Sequence, residues 1–413
     1  MKILQVINAY SPPYSSGGPA FVTHNISKAL AKRGNEVTVY TTNALSRDRM
    51  FEPQQNPTHD DGVKVHYFKN TVYKPSSAIY FSKELVEEFK KNVVEYDMVH
   101  LHEYRSYMGI LTSHYAQKYG VPYVLQAHGS LPRIMAQQSR KLIYDSLCGY
   151  NLLRNASKVI ALTQTEVQQY KSMGVPGDKI KVIPNGVDLE EYRNLPPLGS
   201  FRRKYSIGED TKIILFLGRI HKIKGLDFLI RAYVYLLKEF RFSNVLLVVA
   251  GPDEGALGEL KRLLSTNKIT GNRVLFTGPL CGRDKIEAYV DADVFVLPSR
   301  YETFPNVVLE AYACSKPVVA SNVESISDIV IHGETGFLFS VGDVRGLAKM
   351  ISYMLKHSEE AEEMGRKGKA FVKDGFAIEK VVAKLEEIYR ECLEYKKGLA
   401  FCVERASLMD KSE

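Results

Sequence analysis

The stretch Val296–Ser321, VLPSRYETFPNVVLEAYACSKPVVAS, has the pattern of a strand, a loop, a helix and a second strand. It places Glu302 in the loop and Glu310 on the helix. Pro305 fixes its own φ and disfavours a helical conformation in the residue before it, so the helix is expected to begin here with Asn306 as its N-cap. The first amides of such a helix are free, and with the positive end of the helix dipole they form a site for phosphate or a sugar oxygen.

The spacing of these two carboxylates restricts the chemistry of the site. In one continuous helix, residues eight apart lie ~12 Å apart along the axis, which exceeds the separation of a glycosidase acid/base pair. The loop changes this geometry, so that Glu302 and Glu310 can accept hydroxyl hydrogen bonds from different rings of one long polyol ligand, with a phosphate between them. From the residues alone, two solvated surface carboxylates are an equally good interpretation.

Length and composition indicate two domains and no membrane span. A chain of 413 residues exceeds what one hydrophobic core usually serves. No apolar run approaches the ~18 residues of a membrane span, and Met1–Asn8 is too short for a signal peptide, so a cytosolic protein is expected. The five scattered cysteines have no C-x-x-C spacing and indicate neither a disulfide framework nor a zinc site.

The net charge of +8 is concentrated in the first half of the chain. Residues 1–190 carry 22 Lys and Arg against 16 Asp and Glu, and the remainder carries 33 against 31. This balance suits an anionic ligand or membrane surface, whereas nucleic-acid binding needs a denser basic stripe with aromatic residues. The segment from Arg133 to Lys158 has Asp145 as its one acidic residue and is expected to dock on an anionic membrane near the acceptor, with a plain solvated helix as the alternative. Its basic residues are Arg133, Arg140, Lys141, Arg154 and Lys158, interleaved with Ile134, Leu142, Ile143 and Leu147.

Strand and helix patterns alternate through both halves of the chain. The run Lys2–Asn8 is β-rich, Pro19–Arg33 has helical spacing, and Glu36–Tyr40 is again a strand, which makes a βαβ unit. Repeated alternation predicts a doubly wound parallel sheet in each half, and the Pro- and Gly-containing segment 195–200 predicts a boundary near residue 195. Helices are also predicted over Ser82–Val94, Arg133–Leu153 and Ile378–Tyr395, and further strands over Val63–Phe68, Met98–Leu101, Pro122–Gln126, Lys158–Ala161, Lys212–Gly218, Val245–Ala250, Val274–Thr277, Val294–Leu297 and Pro317–Ala320.

The loop Gly218–Gly225, GRIHKIKG, follows the first strand of the second half. In parallel sheets ligands lie beyond the carboxyl ends of the strands. There the guanidinium of Arg219 could bind two oxygens of a diphosphate, and Lys224 could add a single ammonium charge. The loop is not a Walker A motif, because no G-K-[ST] follows. Nor does G-x-G-x-x-G follow the first strand of either half, which argues against an NAD-dependent oxidoreductase. A merely solvated basic loop is the alternative.

These features together resemble the retaining nucleotide-sugar glycosyltransferases of family 4, which have the GT-B fold. The E-x7-E pair, the G-R-x4-K-G loop and a glycine pair at Gly17-Gly18 occur in the order of that family. The resemblance implies an α/β protein with two doubly wound Rossmann-like domains facing each other across a cleft. It further implies domains of residues 1–195 and 196–377, with a helix at about 378–413 packing back on the first.

The resemblance also implies a role for each motif residue. Glu302 would hold hydroxyls of the donor hexose and Glu310 the ribose, while Arg219 and Lys224 would bind the diphosphate and His128 would lie close to the donor sugar. The chain departs from the common family pattern at Phe304-Pro305, where E-x-F-G is usual, and at Ser315, where Gly is usual. The expected catalytic residues are Glu302, His128, Arg219 and Lys224, and the expected donor-binding residues are Gly17, Gly18, Arg219, Lys224, Leu280, Glu302, Phe304, Asn306, Val307 and Glu310.

Three polar residues, His102, Glu103 and Arg105, follow another predicted strand. Residues in this position can contact an acceptor, although an ordinary polar loop is an equally good interpretation.

The function implied by the resemblance is transfer of a hexose, with retention, from a nucleoside-diphosphate sugar to a hydroxyl acceptor. A UDP-sugar is expected rather than a GDP-sugar, and the acceptor is expected to be a sugar or a lipid-linked sugar in cell-surface polysaccharide, glycolipid or glycoprotein glycan biosynthesis. No metal or cofactor is expected, and the enzyme would be cytoplasmic, with peripheral contact to the inner face of the cell membrane. A GT-B epimerase, a pyridoxal-phosphate phosphorylase and a non-catalytic sugar-nucleotide sensor are the alternatives.

Overall fold

The structure is a computed structural model that describes residues 1–10, 18–44, 50, 52–53, 55–71, 81–133, 137–269 and 271–409. The chain divides into two compact units, one formed by Met1–Gly186 with Ile378–Glu413 and the other by Val187–Ala377. The boundary therefore falls between residues 186 and 187 rather than near residue 195. The physical reason is that the amide of Val187 donates to the carbonyl oxygen of Phe376 at 2.9 Å, which ties the chain to the second unit before the expected linker at 195–200.

The first unit is built on an eight-stranded sheet within the described residues. Its strand order is β3-β4-β2-β1-β5-β6-β7-β8, and every neighbouring pair is parallel except β3 with β4. This is the doubly wound arrangement that the alternation predicted. The strands are β1 (Lys2–Ala9), β2 (Glu36–Thr42), β3 (Thr58–Asp60), β4 (Val63–Phe68), β5 (Met98–His102), β6 (Tyr123–Gln126), β7 (Lys158–Ala161) and β8 (Ile180–Val182).

Helices cover both faces of this sheet. The helix predicted over Arg133–Leu153 begins later, at Gln138, because Gln137 has a left-handed φ of 63°. It also contains a π-helical turn over Asp145–Gly149. The helices before the unit boundary are α1 (Gly18–Lys32), α2 (Lys83–Asn92), α3 (Tyr107–Lys118), α4 (Gln138–Tyr144), α5 (Tyr150–Asn155) and α6 (Gln164–Ser172).

The second unit has a six-stranded, wholly parallel sheet in the order β11-β10-β9-β12-β13-β14. The fully buried β10 and β12 lie inside this sheet, as expected for strands covered on both faces. The strands are β9 (Lys212–Leu217), β10 (Val245–Ala250), β11 (Val274–Gly278), β12 (Val294–Leu297), β13 (Val318–Ser321) and β14 (Gly336–Phe339). The helices are α7 (Ser200–Lys204), α8 (Leu226–Lys238), α9 (Leu257–Thr266), α10 (Gly282–Asp291), α11 (Asn306–Ala313), α12 (Glu324–Ser327), α13 (Val344–Lys356) and α14 (Ser358–Gly375).

The C-terminal helix α15 (Ile378–Met409) belongs to the first unit, as the sequence predicted. Residues of β1 alternate between two cores, because successive side chains of a strand point to opposite faces. Leu4 and Val6 pack with α2, α3, α5 and α6, whereas Ile3 and Ile7 pack with α1 and α15. No helix in the described part of the chain is long and apolar enough to cross a membrane.

A buried carboxylate fastens α15 to α1. Glu386 accepts hydrogen bonds from Arg33, with Nη2 at 2.9 Å and Nε at 3.1 Å, and from the side-chain amide of Asn35 at 2.7 Å. Burial raises the pKa of Glu386, but these hydrogen bonds outweigh that effect and hold the pKa below its ordinary value. The contact therefore stabilises the fold while the carboxylate is ionised and weakens as the pH falls through the pKa of the folded state.

Replacing Glu386 should loosen α15 in a pH-dependent way. Charged hydrogen bonds are worth about 1.5 kcal/mol or more, so Glu386→Gln should speed amide hydrogen exchange in α15 by about tenfold at neutral pH. The difference from the wild type should shrink as the pH falls below the ordinary range of a glutamate, because the lowered pKa of Glu386 keeps the native carboxylate ionised until then. Hydrogen exchange followed by mass spectrometry measures both effects.

The matched control is Glu387→Gln, which alters the exposed neighbour on the same helix. Equal protection of α15 in all three proteins at neutral pH would show that Glu386 does not fasten the helix.

Candidate active site

Loops at the carboxyl edge of the second sheet lie in close backbone contact. The amide of Gly218, after β9, donates to the carbonyl oxygen of Ala250, and the amide of Gly251, after β10, donates to that of Gly278. A Cβ at Gly251 would overlap the carbonyl oxygen of Gly218, so only glycine fits at this position. The loops after β9, β10 and β11 are thereby held together at one edge of the sheet.

The G-R-x4-K-G loop is shaped by its own side chains and by glycine. His221 Nδ1 accepts the amide of Ile223 at 3.2 Å, which caps the single 3₁₀ turn that carries Lys224. Gly225 then has a φ of 65° and begins α8, and a Cβ there would overlap the carbonyl oxygen of Pro298 in the loop after β12. Close approach of these two loops sets the position of Lys224.

Lys224 and Glu302 form a largely buried ion pair. Lys224 Nζ lies 2.5 Å from Glu302 Oε1, and the hydroxyl of Ser299 donates to the same oxygen at 2.7 Å. The hydroxyl of Ser325 donates to the Glu302 carbonyl oxygen at 2.8 Å and so fixes the backbone of the loop. No described residue donates a hydrogen bond to Glu302 Oε2, which leaves that oxygen to accept one from a ligand. Two residues from separate sequence motifs therefore meet at one point.

Glu310 is held by two residues that the sequence analysis did not identify. Lys285 Nζ lies 2.7 Å from Oε1, and the hydroxyl of Tyr289 lies 3.0 Å from Oε2 and 3.1 Å from the carbonyl oxygen of Val307. Lys285 and Tyr289 are four residues apart on α10 and so share one face of it, which is the signal that the sequence offered. Burial and then the negative charge of Glu310 raise the pKa of Tyr289. Both oxygens of Glu310 have partners in the absence of a ligand.

A third residue near Glu310 was also missed. The side chain of Tyr192 is buried, and its hydroxyl has no hydrogen-bond partner among the described residues. Burial raises the pKa of Tyr192, and the charge of Glu310 raises it further. The hydroxyl therefore remains protonated and can form hydrogen bonds only as a neutral group.

Arg219 has a partner of a different kind. Its Nη1 lies 2.6 Å from Glu254 Oε2, but the side chains are 51% and 41% exposed. Exposed ion pairs contribute about 0 to 1 kcal/mol, so Arg219 can exchange Glu254 for a phosphate at little cost. If Lys224 turned to a phosphate, by contrast, the buried carboxylate of Glu302 would lose its ion-pair partner, which is unfavourable.

The start of α11 differs from the sequence prediction. Pro305 is the N-cap, with φ −87° and no side-chain capping bond. Asn306 is the first helical residue. Proline suits this end because it has no amide hydrogen to satisfy. The amide of Asn306 donates to Phe304 and that of Val308 to Pro305, so the amides expected for a ligand are partly engaged.

The remaining expected donor residues are placed as follows. Phe304 is buried, with its ring centroid 6.3 Å from that of Phe376. Leu280 is partly buried in the loop after β11, and Gly18 is the first residue of α1. Gly17 lies outside the described residues.

In the first unit, His128 and Glu103 follow neighbouring strands in unusual backbone conformations. Their φ values are 50° and 69°, in the left-handed region that costs non-glycine residues about 1 kcal/mol or more. Glu103 accepts a hydrogen bond from the Asn8 side-chain amide at 2.6 Å, and burial raises its pKa. Strained residues at the carboxyl ends of β5 and β6 are typical of a functional edge.

A buried hydrogen-bond chain orients His128. His102 Nδ1 lies 2.9 Å from His128 Nε2, and His102 Nε2 lies 2.7 Å from Gln5 Oε1. An amide oxygen only accepts, so His102 is protonated on Nε2 and accepts the Nε2 proton of His128. Burial lowers the pKa of His128 to about 3, which makes it a neutral ring with a free electron pair on Nδ1. A glutamine between the apolar residues Leu4 and Val6 of β1 was the sequence signal for this chain, since buried polar groups need partners.

The three acceptor candidates have structural partners. His102 is fully buried, so direct contact with an acceptor is not expected. Arg105 binds both carboxylate oxygens of Asp145, at 2.9 and 2.7 Å, and also donates to the carbonyl oxygens of Ser130 and Leu131. Glu103 also has a structural partner, the side-chain amide of Asn8, which binds its Oε2. Within the described residues, no group of three or more His, Cys, Asp and Glu side chains is arranged to hold a metal ion.

The two units have the fold of the GT-B glycosyltransferases. A crystal structure of Anabaena Alr3699/HepE in complex with UDP-glucose matches with a TM-score of 0.76 at 21% identity, covering 95% of this chain and 100% of that one. Residues 16–191 match the family model described as Glycosyltransferase Family 4, and residues 199–371 match the one described as Glycosyl transferases group 1. The chain belongs to the group 1 glycosyltransferases of the GT-B type and is an enzyme of the transferase class.

Relatives in sequence extend along most of the chain. N-acetyl-alpha-D-glucosaminyl L-malate synthase of Bacillus anthracis is 26% identical over 412 residues, which are 95% of this chain and 98% of that protein. The UDP-Gal:alpha-D-GlcNAc-diphosphoundecaprenol alpha-1,3-galactosyltransferase of Escherichia coli is 28% identical over 342 residues, which are 80% and 84% of the two chains. Both relatives bear names of glycosyl-transferring or sugar-conjugating enzymes.

His128 should remain neutral across the physiological pH range. Nitrogen-15 NMR of histidine-labelled protein should show it protonated on Nε2 with no titration between about pH 5 and 8, because an ordinary histidine titrates near 6.5 and this one is shifted down by burial. Gln5→Glu should put an anionic acceptor at the end of the chain and raise the pKa of the coupled rings. A wild-type His128 resonance that titrates with a midpoint near 6.5 would contradict the assignment.

Proposed function

We propose that the enzyme transfers a hexose from a UDP-sugar to a hydroxyl acceptor with retention of configuration and without a metal ion. The observation that carries the proposal is the buried contact of Lys224 with Glu302, which puts a cation for the diphosphate beside a carboxylate for sugar hydroxyls. The UDP-glucose complex of the structural neighbour and the UDP-Gal in the name of the Escherichia coli relative support the choice of donor.

Donor binding exchanges the partners of these side chains. The diphosphate takes Lys224 and draws Arg219 away from Glu254, and a hexose hydroxyl donates to the open Oε2 of Glu302. The ribose hydroxyls approach Glu310, whose carboxylate is oriented by Lys285 and Tyr289. A ligand with both anionic phosphate and hydroxyl groups thus gives new partners to the basic side chains and to the carboxylate of Glu302 when it separates them.

The reaction breaks the bond between the anomeric carbon and the diphosphate oxygen and forms a bond from that carbon to the acceptor oxygen on the same face. Negative charge grows on the leaving diphosphate, where Lys224 and Arg219 stabilise it. The acceptor proton passes to the leaving phosphate oxygen, so no side chain has to remove it. A ring with a pKa near 3 does not act as an acid at neutral pH, so the role open to His128 is to accept a hydrogen bond from a sugar hydroxyl through Nδ1.

The acceptor is proposed to be a sugar carried on a lipid. The support is the name of the Escherichia coli relative, which includes a diphosphoundecaprenol-linked sugar, together with the basic first half of the chain. The product would then be part of a cell-surface polysaccharide, glycolipid or glycan.

The test begins with ligand-detected NMR against UDP-, GDP- and ADP-hexoses. A UDP-sugar should bind, and free UDP should be released in stoichiometric amount only when an acceptor is added. UDP release or isomerisation of the sugar without acceptor would favour the epimerase alternative, and binding without turnover for any acceptor would favour the sensor.

The two carboxylates should differ in the step that they support. Glu302→Gln should lower the turnover rate by about 10- to 150-fold, since a charged hydrogen bond to the donor hexose is worth roughly 1.5–3 kcal/mol. Glu310→Gln should mainly weaken nucleotide binding. Steady-state kinetics and calorimetry separate the effects, with Glu259→Gln on the exposed face of α9 as the control. Unchanged activity and affinity in both variants would remove the site assignment.

The two basic residues should recognise phosphate rather than the nucleoside. Arg219→Ala and Lys224→Ala should weaken UDP-sugar binding by about tenfold or more while leaving uridine binding nearly unchanged, because the lost contact is with phosphate charge. Lys222→Ala is the matched control, since Lys222 lies in the same loop but is highly exposed. Calorimetry that shows equal losses for UDP-sugar and uridine would point to a different site.

A further inference from the structure

Four large apolar side chains are exposed together on one short helical segment. They are Leu142, Ile143, Leu147 and Tyr150, with exposed fractions of 49%, 58%, 71% and 42%. The other exposed large hydrophobics among the described residues are at least ten positions apart in sequence. Single exposed hydrophobics are ordinary, but a cluster requires an explanation.

The segment is the continuous helix of α4, the π turn and α5, and its two sides differ sharply. Ile143 and Leu147, the two most exposed of the four, lie two residues before and two residues after Asp145, which puts them on the side opposite it. Asp145 and Gly149 are buried, and a Cβ at Gly149 would overlap the hydroxyl of Tyr104, so this side is pressed against the unit. We call the exposed side of the segment, with Ile143 and Leu147 at its centre and Leu142 and Tyr150 at its edges, the outer face.

The helical segment that bears the outer face carries exposed cations and no exposed acidic residue. Asp145 is the one acidic residue between positions 133 and 158, and it is turned inward to Arg105 and Arg133, each at 2.7 Å. Arg140 and Arg154 are exposed, and neither forms a salt bridge with a carboxylate of the described residues. The surface therefore combines apolar side chains with positive charge and no exposed negative charge of its own.

We propose that the outer face docks on an anionic lipid bilayer with the helix lying parallel to the membrane plane. Leu142, Ile143 and Leu147 enter the boundary between headgroups and acyl chains. Tyr150 lies at the edge of the face, where its hydroxyl accepts a hydrogen bond from Arg133 Nη2 at 2.9 Å. Arg140 and Arg154 contact anionic headgroups, which charge complementarity favours over a neutral or cationic partner. Two basic residues and three apolar side chains give reversible attachment, as suits an enzyme that has no spanning helix in its described part.

The inference extends the proposed function, because docking would bring the enzyme to a lipid-linked acceptor. It is tested without donor or acceptor, so the two can fail separately. A face that does not bind vesicles leaves sugar transfer to a soluble acceptor untouched, and an enzyme without UDP-sugar activity can still bind vesicles.

The experiment is co-sedimentation of the full chain with vesicles of phosphatidylcholine alone or mixed with phosphatidylglycerol. Binding to the mixed vesicles should exceed binding to phosphatidylcholine by about tenfold or more at low salt and should weaken as salt is added, since each basic residue near an anionic surface adds about 1 kcal/mol. Arg140→Glu with Arg154→Glu should abolish this preference. Ile143→Ser with Leu147→Ser should lower binding to the mixed vesicles by about tenfold or more.

Leu198→Ser is the matched control, because Leu198 is a single exposed leucine in the second unit and should be replaceable without effect. The altered residues are exposed, and unchanged melting temperatures confirm that the variants fold. Absence of binding to anionic vesicles, or binding that all variants retain, would overturn the proposal. So would light scattering that shows a dimer which Leu147→Ser dissociates, since the outer face would then cover a second copy of the chain.

Discussion

The contact between Lys224 and Glu302 depends on the strand order of the second sheet. The two residues are 78 positions apart in sequence, yet β9 and β12 are parallel neighbours, so the loops that follow them emerge at the same edge. A largely buried ion pair is stable only when its geometry is good and its remaining polar atoms are satisfied. Ser299 supplies part of that satisfaction, and Gly225 permits the close approach of the two loops.

The site is therefore neutralised internally before any ligand arrives. Arg219, Lys224 and Lys285 each pair with a carboxylate at 2.5 to 2.7 Å, but only the Arg219 pair is substantially exposed. Removing one partner from a buried pair is strongly unfavourable. A phosphate alone would pair with the lysine and leave the carboxylate without a partner, whereas a sugar alone would bind the carboxylate and leave the lysine without one. A molecule that combines the two satisfies both sides. On the proposed function, the pairing would favour a sugar nucleotide over its fragments, and this selectivity would arise from the pairs that the ligand must replace as well as from the contacts that it forms.

The sequence predicts the fold well because its signals are local and repeated. Apolar runs, loop glycines and helical spacing predicted eleven of the fourteen described strands and the placement of α15, but not the short strands β3, β8 and β14. Contacts between distant segments were less accessible. Nothing local indicates that Lys285 and Tyr289 face Glu310, or that His102 is buried beneath His128 rather than open to an acceptor. The start of α11 was misplaced by one residue because asparagine and proline both suit a helix end, and the unit boundary was misplaced because the pairing of Val187 lies near residue 377.

The inward direction of the Asp145 carboxylate changes the charge that the segment 133–158 presents at its surface. Counting charges from 133 to 158 gives five cations and one anion, but Asp145 is buried against Arg105 and Arg133, and Lys158 pairs with Glu391. The same Arg105 donates to the carbonyl oxygens of Ser130 and Leu131, in the loop that begins at His128. The helix with the outer face and the loop of His128 are thus fastened to one guanidinium group. If the proposed docking displaced this helix, the displacement would reach the loop that contains His128 through Arg105, because one guanidinium group holds both.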